Sequence, residues 1–332
     1  MRPSRFLETG FAGCALATML LGCGSKDAAP ETAGAAPGSG QVLNTGTPVD
    51  GTATLAVAET ARVGATIEVG WTGPGNGGDY IDLVPRGVAE TSGEISYVYV
   101  RDAIPVGKLR LPTSAGDYDV RYVVQLADER RVRATKPLTV IGVTAGLVVP
   151  TRAEAGEPLT IGWQGPAGEG DYLDLVPAGH AETSAEITYA YTRDGNPARL
   201  TAPGRSGNYL IRYVLEGPGG RKVLAMAALT VIQPTATLSA PEVVSRGASI
   251  QVQWTGPRRQ GDYIDLVRKG HVETSGELSY FYTDRESPGS LTAPAETGEY
   301  EIRYVLEAPG GRQVLARRPI RVITGPGPSG RA

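Results

Sequence analysis

The sequence predicts an all-β protein with three tandem antiparallel β-sandwich domains. One stretch occurs three times, beginning at Trp71, Trp163 and Trp254, which stand 92 and 91 residues apart. All 15 tyrosines fall within these repeats, five in each. Each repeat consists of short segments of alternating apolar and polar residues, separated by Gly- and Pro-rich turns. Solenoid repeats usually have periods of roughly 20–50 residues, so this longer period suits a whole small domain.

The first repeat illustrates the elements. Strands are predicted at 53–58, 66–71, 80–84, 95–100, 108–111, 118–124 and 131–141, because these segments alternate in polarity and end at turn residues. The fourth of these carries Tyr97 and Tyr99 on a common face. About seven short strands are typical of a β-sandwich. The predicted domains span 53–144, 145–235 and 236–323, and short linkers at 142–144 and 233–235 indicate limited bending between them.

Residues 1–23 have the features of a signal peptide. Arg2 and Arg5 precede an apolar run at 11–21, which is too short for a membrane span of about 20 residues. The run ends in L-L-G-C at Cys23, which resembles the lipobox of bacterial lipoproteins. That resemblance implies cleavage before Cys23 and attachment of acyl chains, palmitate included, to this residue. The alternative interpretation is a cysteine that lies by chance near an ordinary cleavage site.

Two segments flank the repeats, and both are poor in bulky apolar residues. Residues 24–52 are expected to form a flexible tether, and residues 324–332 a disordered tail. Gly24 and Ser25 follow Cys23, with no aspartate. By resemblance to lipoproteins of two-membrane bacteria, this implies the outer membrane, facing the periplasm or the cell surface. Cys14 is the other cysteine, so an exported chain would have no disulfide and must rely on core packing.

A Gly-x-Tyr step recurs in each repeat, at Tyr118, Tyr209 and Tyr300. It resembles the tyrosine corner of immunoglobulin (Ig)-like sandwiches, in which the phenol bonds to the preceding backbone. The resemblance implies Ig-like or fibronectin-type modules, as in bacterial envelope proteins. The motif order W-x-G, GDYIDLV, SYxY, GxYxxRY is also similar to the β-sandwich of the SKICH family. Two departures from the Ig pattern are the missing cysteine pair and the tryptophan on the second predicted strand. The fold itself does not specify a ligand.

Charge and motifs do not point to nucleic acid, metal or cofactor. The chain has a net charge of −3, and no repeat has the basic excess that a nucleic-acid binder needs. His180 and His271 lack cysteine or histidine companions in their repeats and are interpreted as loop residues. Asp79, Asp82 and their copies could supply calcium ligands, but their apolar neighbours indicate a strand instead of a calcium loop.

One tyrosine in each repeat is a candidate for a binding surface. The alternation places it on the outer face of the sheet, opposite the inward Ile81 and Leu83 of the first repeat. Exposed tyrosines suit contacts with glycans or proteins, whereas their ordinary role is to shield the sheet or to pack between domains. The candidates are Tyr80, Tyr172 and Tyr263.

One aspartate and one arginine also recur at fixed places. Both are predicted to lie on the same outer face, on neighbouring strands, within reach of each other. They are expected to form a cross-strand ion pair in every domain, worth at most about 1 kcal/mol if it is exposed, although a repeated polar site is the alternative. The pairs are Asp82 with Arg121, Asp174 with Arg212, and Asp265 with Arg303.

These observations favour a non-catalytic, lipid-anchored cell-envelope protein that binds or spaces through its domains. One alternative is an accessory protein for cell-wall glycan, which requires aromatic rows on one sheet face. A less favoured alternative is an envelope hydrolase, which requires a deep cleft with a histidine or a carboxylate pair. The expected partners are a membrane, through the lipid, and an envelope protein or glycan. We expect no cofactor, metal or nucleic acid.

Overall fold

The computed structural model describes residues 49–100 and 106–325. Within these residues the chain forms 24 β-strands and one short 3-10 helix, Thr192–Asp194. No helix in the described residues has both the length and the apolar composition needed to span a membrane. Cys23, with the rest of the predicted signal peptide and most of the predicted tether and tail, lies outside the described residues.

The strands fall into three sets of eight. The first domain contains β1 (Thr54–Ala56), β2 (Thr60–Arg62), β3 (Thr66–Thr72), β4 (Tyr80–Pro85), β5 (Ser96–Tyr99), β6 (Val106–Arg110), β7 (Gly116–Gln125) and β8 (Arg130–Ile141). The second contains β9 (Gly146–Val148), β10 (Arg152–Glu154), β11 (Pro158–Gln164), β12 (Tyr172–Pro177), β13 (Thr188–Tyr191), β14 (Ala198–Thr201), β15 (Gly207–Leu215) and β16 (Lys222–Ile232). The third contains β17 (Thr237–Ser239), β18 (Val243–Ser245), β19 (Ser249–Thr255), β20 (Tyr263–Arg268), β21 (Ser279–Tyr282), β22 (Gly289–Thr292), β23 (Gly298–Leu306) and β24 (Gln313–Ile323).

Each domain is a sandwich of a three-stranded and a five-stranded sheet. In the first domain the orders are β1-β3-β6 and β2-β8-β7-β4-β5, and the other two domains repeat them. All neighbours are antiparallel except the short second strand of each domain, which runs parallel to the last strand. The described chain is therefore all-β, with three tandem Ig-like sandwiches, as the sequence predicts.

Every strand predicted in the first repeat corresponds to an observed one, and one strand, β2, was not predicted. The chain leaves the three-stranded sheet after β1 and joins the other sheet at β2, so the opening segment contributes to both sheets. Counted along the chain, Trp71 lies on the third strand and not on the second. That strand belongs to the sheet opposite β4, β7 and β8, so the departure from the immunoglobulin pattern remains.

The repeated Trp-x-Gly motif shapes the core between the two sheets. The ring of Trp163 packs against Tyr213, with centroids 5.8 Å apart, and the corresponding pair in the third domain lies at 6.0 Å. A Cβ atom on Gly73, two residues after Trp71, would lie 2.5 Å from the ring of Tyr122. Only glycine fits at this position because the tyrosine ring occupies the space of a side chain.

The predicted tyrosine corner is present in all three domains. The phenol of Tyr118 donates to the carbonyl of Ser114 at 3.0 Å, four residues earlier. Tyr209 donates in the same way to Arg205 at 2.8 Å, and Tyr300 donates to Glu296 at 2.9 Å. Each bond holds the turn before the seventh strand of its domain.

Consecutive domains meet through equivalent contacts. Leu215 of the second domain lies against Gly64 of the first, and Leu306 of the third lies against Gly156 of the second. A Cβ atom on Gly64 would lie 2.8 Å from the leucine Cδ1, and one on Gly156 would lie 3.2 Å from its leucine. Both leucines are fully buried and join the core cluster of the preceding domain.

The third domain differs from the first two at the end on which each of those contacts the domain that follows it. Val63 and Ala155, which precede the two receiving glycines, are buried. The third domain has Arg246 at this position, followed by Gly247, and both are exposed. This end of the third domain is therefore polar and uncovered by another domain.

Candidate functional site: a tyrosine cluster in each domain

The recurring aspartate and arginine face each other on neighbouring strands. Asp82 on β4 is in register with Arg121 on β7, and the other two domains have the same register. Arg121 donates from Nε to Oδ1 at 3.0 Å and from Nη2 to Oδ2 at 2.6 Å. The second and third domains repeat this two-pronged contact. The side chains share the outer face, as the alternation predicts.

These ion pairs are buried, so the limit of about 1 kcal/mol for an exposed pair does not apply to them. Asp82 is fully buried, and Arg121 is 2% exposed. The loop between β4 and β5 crosses the outer face of the sheet and covers them. Arg121 Nη1 donates to the carbonyls of Val88 and Glu90 in this loop, at 2.9 and 2.8 Å. The arginine therefore fastens the loop to the sheet, and all its bonds are made within the domain.

Hydrogen bonds with Asp82 raise the pKa of Arg121, so the guanidinium stays charged. A buried charge needs such a partner, because removal of one member leaves the other uncompensated. The three Asp–Arg pairs therefore have a structural role. They are not the repeated polar site that the sequence left open as an alternative.

A second buried acid recurs at Asp79, Asp171 and Asp262. Asp171 accepts hydrogen bonds from the Tyr213 phenol at 2.9 Å and from the backbone N–H groups of Gly168 and Glu216. Burial raises the pKa of Asp171. Its bonds tie the turn after β11 to the end of β15. Across residues 49–100 and 106–325, no three His, Cys, Asp or Glu side chains form a group suited to a metal ion.

The tyrosines predicted to form an exposed surface are buried. Tyr80, Tyr172 and Tyr263 are only 4%, 3% and 4% exposed. Each lies on the outer face of its sheet, but the following loop and the neighbouring edge strand cover it. Their phenols donate to the loop carbonyls of Thr91, Thr183 and Thr274. Burial raises the pKa of Tyr172 to about 12.

The exposed tyrosines lie on the edge strand beside these buried rings. Tyr97, Tyr99, Tyr189, Tyr280 and Tyr282 are each 50–53% exposed, and Tyr191 is half-buried beneath Arg193. We call the buried tyrosine and the two edge-strand tyrosines of one domain its tyrosine cluster. The three clusters are Tyr80, Tyr97 and Tyr99; Tyr172, Tyr189 and Tyr191; and Tyr263, Tyr280 and Tyr282.

The rings of a cluster meet edge to face. Tyr189 and Tyr191 have centroids 5.4 Å apart at 79°, and Tyr172 lies 6.1 Å from Tyr189 at 73°. The first and third domains have the same edge-to-face pairs. This arrangement is favourable for aromatic rings and fixes their orientation. The first and third clusters therefore present two ordered ring surfaces to solvent, and the second presents one, at Tyr189.

One arginine flanks each cluster, and its guanidinium binds a glutamate or glutamine side chain of the same domain. Arg221 lies over the ring of Tyr172, with its Cζ 5.5 Å from the centroid, and binds Glu216 at 2.6 Å. Arg312 and Glu307 repeat this at the third cluster, also at 2.6 Å. At the first cluster, Arg130 binds Gln125 at 2.8 Å. In the second domain these groups line a cleft of about 330 Å³, which Glu186 also borders.

The two histidines occupy the loops that cover the ion pairs. The Nε2 atom of His180 lies 2.7 Å from the carbonyl oxygen of Ser184, and that of His271 lies 2.6 Å from Ser275. Their own carbonyls accept from Arg212 and Arg303. Both histidines thus take part in loop contacts, in agreement with their interpretation as loop residues.

Alternation identified the face of each tyrosine but not which one stays exposed. Tyr97 and Tyr99 share a face with a spacing of two, which already marks a strand with one aromatic side. Their place at the edge of the sheet, where no further strand or loop covers them, follows from the strand order β7-β4-β5. The strand order could be determined only from the structure.

No family model and no curated protein matches the chain. Among solved structures, the third to fifth extracellular domains of Drosophila OTK are 13% identical, covering 84% of this chain and 99% of that one, with a TM-score of 0.31. A titin I-band fragment is 12% identical, covering 84% and 100%, with a TM-score of 0.20. A segment of two fibronectin type III domains from chicken tenascin is 13% identical, covering 55% and 99%, with a TM-score of 0.25. The assignment of the fold rests on the strand topology of the chain itself.

Proposed function

We propose that this chain is a non-catalytic binding protein of the cell envelope, anchored through a lipidated Cys23, and that the tyrosine clusters are its binding surface. The observation that carries the proposal is that exposed tyrosines recur on the same edge strand in all three domains. Aromatic side chains with a polar tip are enriched at binding surfaces because they give a large contact area at low entropic cost. The other recurring polar residues are engaged within their domains.

The burial and the hydrogen bonds of the recurring aspartates support a non-catalytic role. Asp82 and Asp171 are the kinds of residue that a hydrolase would use as acid, base or nucleophile. Asp82 is held by a buried arginine, and Asp171 is held by a phenol and two backbone donors. Both are at most 1% exposed, so a substrate would have to displace the domain's own bonds to reach them.

The anchor and the predicted tether would set where the clusters act. A tether of about 25 residues would span on the order of 30 Å as a flexible coil, since Val49 and Asp50 at the end of the predicted tether already bond to Asn76 and Arg131 of the first domain. The domains would thereby reach partners away from the membrane to which the lipid is attached. We propose the outer membrane for this location, from Gly24 and Ser25 after the cysteine.

An accessory role in binding cell-wall glycan is the second candidate. The ordered, half-exposed rings are the aromatic rows on one sheet face that this function requires. The flanking Glu216 and Arg221 offer acceptors and donors to sugar hydroxyls, and Tyr189 offers a ring face for stacking.

The test compares the full lipidated chain with variants of the clusters. The variant set replaces both edge-strand tyrosines of every domain with alanine. Met226→Ala is the control because this residue is 62% exposed on β16, which β15 and β12 separate from the edge strand β13. Cross-linking on intact cells should give adducts with the unaltered chain and with Met226→Ala, and lose them in the cluster variant. Adducts that persist without the six tyrosines would refute the clusters as the binding surface. Turnover of an ester, peptide or glycoside that a point mutation abolishes would refute the non-catalytic role.

A further inference from the structure

We propose that the three tyrosine clusters form one continuous binding face for a long, uncharged, linear polysaccharide that spans more than one domain. This inference deepens the glycan-binding candidate and rests on it. It adds that the ligand is repetitive, that neighbouring clusters hold the same chain, and that its sugars carry no charge.

The two domain junctions share a set of equivalent contacts, which supports a similar step from each cluster to the next. Three pairs of equivalent contacts define it. In the first pair, Gly64 contacts Leu215 and Gly156 contacts Leu306. In the second pair, Pro112 lies 4.0 Å from a Cβ built on Gly219, and Pro203 lies 4.0 Å from one built on Gly310. In the third pair, Thr113 contacts Gly217 and Gly204 contacts Ala308. Three separate contacts fix the relative orientation of two rigid bodies. A polymer that repeats regularly can therefore meet equivalent groups at each step.

The first and second clusters are linked by a short path of contacts. Ser96 is the first residue of β5, the strand that carries Tyr97, and its Oγ donates to the carbonyl of Arg110 at 2.6 Å. Arg110 Nη2 reaches across the junction and donates to the carbonyl of Glu216 at 2.7 Å. Glu216 lines the cleft of the second cluster. This path joins the strand that carries Tyr97 to the cleft of the second cluster.

The second and third clusters are also linked by contacts across their junction, through residues at other positions. Ile187 stands directly before β13, which carries Tyr189 and Tyr191, and its Cγ2 is 3.3 Å from a Cβ built on Gly310 of the third domain. Gly310 lies in the same hairpin as Arg312, which covers Tyr263 in the third cluster. An ion pair between Arg259 and Glu154, at 3.0 Å, further holds this junction.

The charge at the second and third clusters favours an uncharged ligand. Arg221 and Arg312 are each neutralised by a glutamate at 2.6 Å, whereas at the first cluster Arg130 bonds to the neutral Gln125 at 2.8 Å and Lys108 lines the adjoining cleft. An anionic polymer would have to compete with these carboxylates and would meet Glu186 as well. A neutral sugar can bond to the paired groups without separating them, while its ring face packs on tyrosine.

The experiment measures the dependence of affinity on ligand length. Glycol chitin, dextran and laminarin serve as soluble uncharged polymers, each compared with its own disaccharide, and alginate serves as a charged polymer. The variants are Tyr97→Ala/Tyr99→Ala, Tyr189→Ala/Tyr191→Ala and Tyr280→Ala/Tyr282→Ala, each in the full chain, with Met226→Ala as control. Circular dichroism checks that each variant keeps its fold.

At least one uncharged polymer should bind on the order of 10²-fold more tightly than its disaccharide, because the second contact becomes intramolecular. Loss of the middle cluster, in Tyr189→Ala/Tyr191→Ala, should remove most of this gain because the two remaining clusters are not neighbours. Loss of either end cluster should leave the gain of one neighbouring pair, and disaccharide affinity at the remaining sites should stay unchanged. Equal affinity for polymer and disaccharide would overturn the continuous face but keep glycan binding. Preference for alginate would overturn the uncharged ligand. Absence of binding to every sugar would overturn the glycan candidate itself, while leaving a protein partner for the clusters.

Discussion

Asp174 and Arg212 hold two strands and a loop together in the second domain. The guanidinium binds both carboxylate oxygens, at 2.9 and 2.6 Å, and its remaining Nη1 donates to the carbonyl of Glu182 at 2.7 Å. Asp174 is fully buried, and Arg212 is 1% exposed. One arginine thus connects β12, β15 and the loop between β12 and β13, and the other two domains have the same connection.

Replacement of this arginine should be strongly destabilising. Arg212→Met would leave the carboxylate of Asp174 buried without its partner, which typically costs about 3–5 kcal/mol. The expected result is an early unfolding step of the second domain in urea, followed by fluorescence. The other two domains should unfold later, at midpoints lowered by the loss of the Leu215 and Leu306 contacts. Arg199→Ala, at an exposed position of the same domain, should change the midpoint little. A midpoint for Arg212→Met equal to that of the control would contradict the proposed role of the pair.

The register of these pairs could be predicted from the sequence, whereas their burial could not. Alternation along β4 and β7 placed Asp82 and Arg121 on one face, and the antiparallel register placed them opposite each other. It is the loop of residues 86–95 that covers them, and the path of such a loop depends on contacts that arise only after the sheet has formed. Tyr80 was misjudged for the same reason. The Trp-x-Gly motif could be found in the sequence. The reason for its glycine, which is the ring of Tyr122 beside it, could be found only in the structure.

The glycine of this motif should tolerate no side chain. A Cβ on Gly73 would lie 2.5 Å from the Tyr122 ring, and the closely packed core leaves the ring little room to move. Gly73→Ala is expected to cost about 1–3 kcal/mol in the first domain, as overpacking usually does. Gly77→Ala is the matched control in the same turn, because a Cβ there meets nothing within 4 Å. Equal urea midpoints for the two variants would show that the ring can move aside.

The stability of the domains should decrease in alkali. Burial raises the pKa of Tyr172 and of Tyr304 to about 12, whereas tyrosine in an unfolded chain has a pKa of about 10. The folded state therefore holds these protons more tightly, and the stability they contribute is full below about pH 10 and is lost as the pH rises towards about 12. Thermal midpoints measured across this interval should decrease while tyrosinate absorbance appears. Tyr172→Phe should make the decrease shallower, and an unchanged slope would argue against this origin.

The junction between the second and third domains should depend on Gly204. A Cβ at this position would lie 2.4 Å from the carbonyl oxygen of Gly311, a backbone atom that can yield only if the domains separate. Gly204→Ala should therefore increase the rate of proteolytic cleavage at residues 233–235 several-fold while each domain remains folded. Gly146→Ala, where a Cβ meets nothing within 4 Å, is the control. Equal cleavage rates would show that the contact does not hold the junction.

Lipid attachment is expected to require Cys23. Cys23→Ala removes the thiol that would receive the acyl chain, so the precursor should remain uncleaved by the lipoprotein peptidase. Metabolic labelling with a fatty acid, followed by electrophoresis, should show label on the unaltered chain and none on the variant. Cys14→Ala should retain the label. Label that persists without Cys23 would disprove the lipobox interpretation.

The exposed Arg246 distinguishes one end of the third domain from the same end of the first two. The first and second domains have a buried Val63 or Ala155 before the glycine against which the next domain's leucine packs, whereas the third has a charged side chain before Gly247. Desolvation of an unpaired arginine in such a contact would be costly. Any partner that packed on this end would therefore have to leave the guanidinium in water or supply an acidic group for it. The three similar sandwiches thus differ in the chemistry of this one surface.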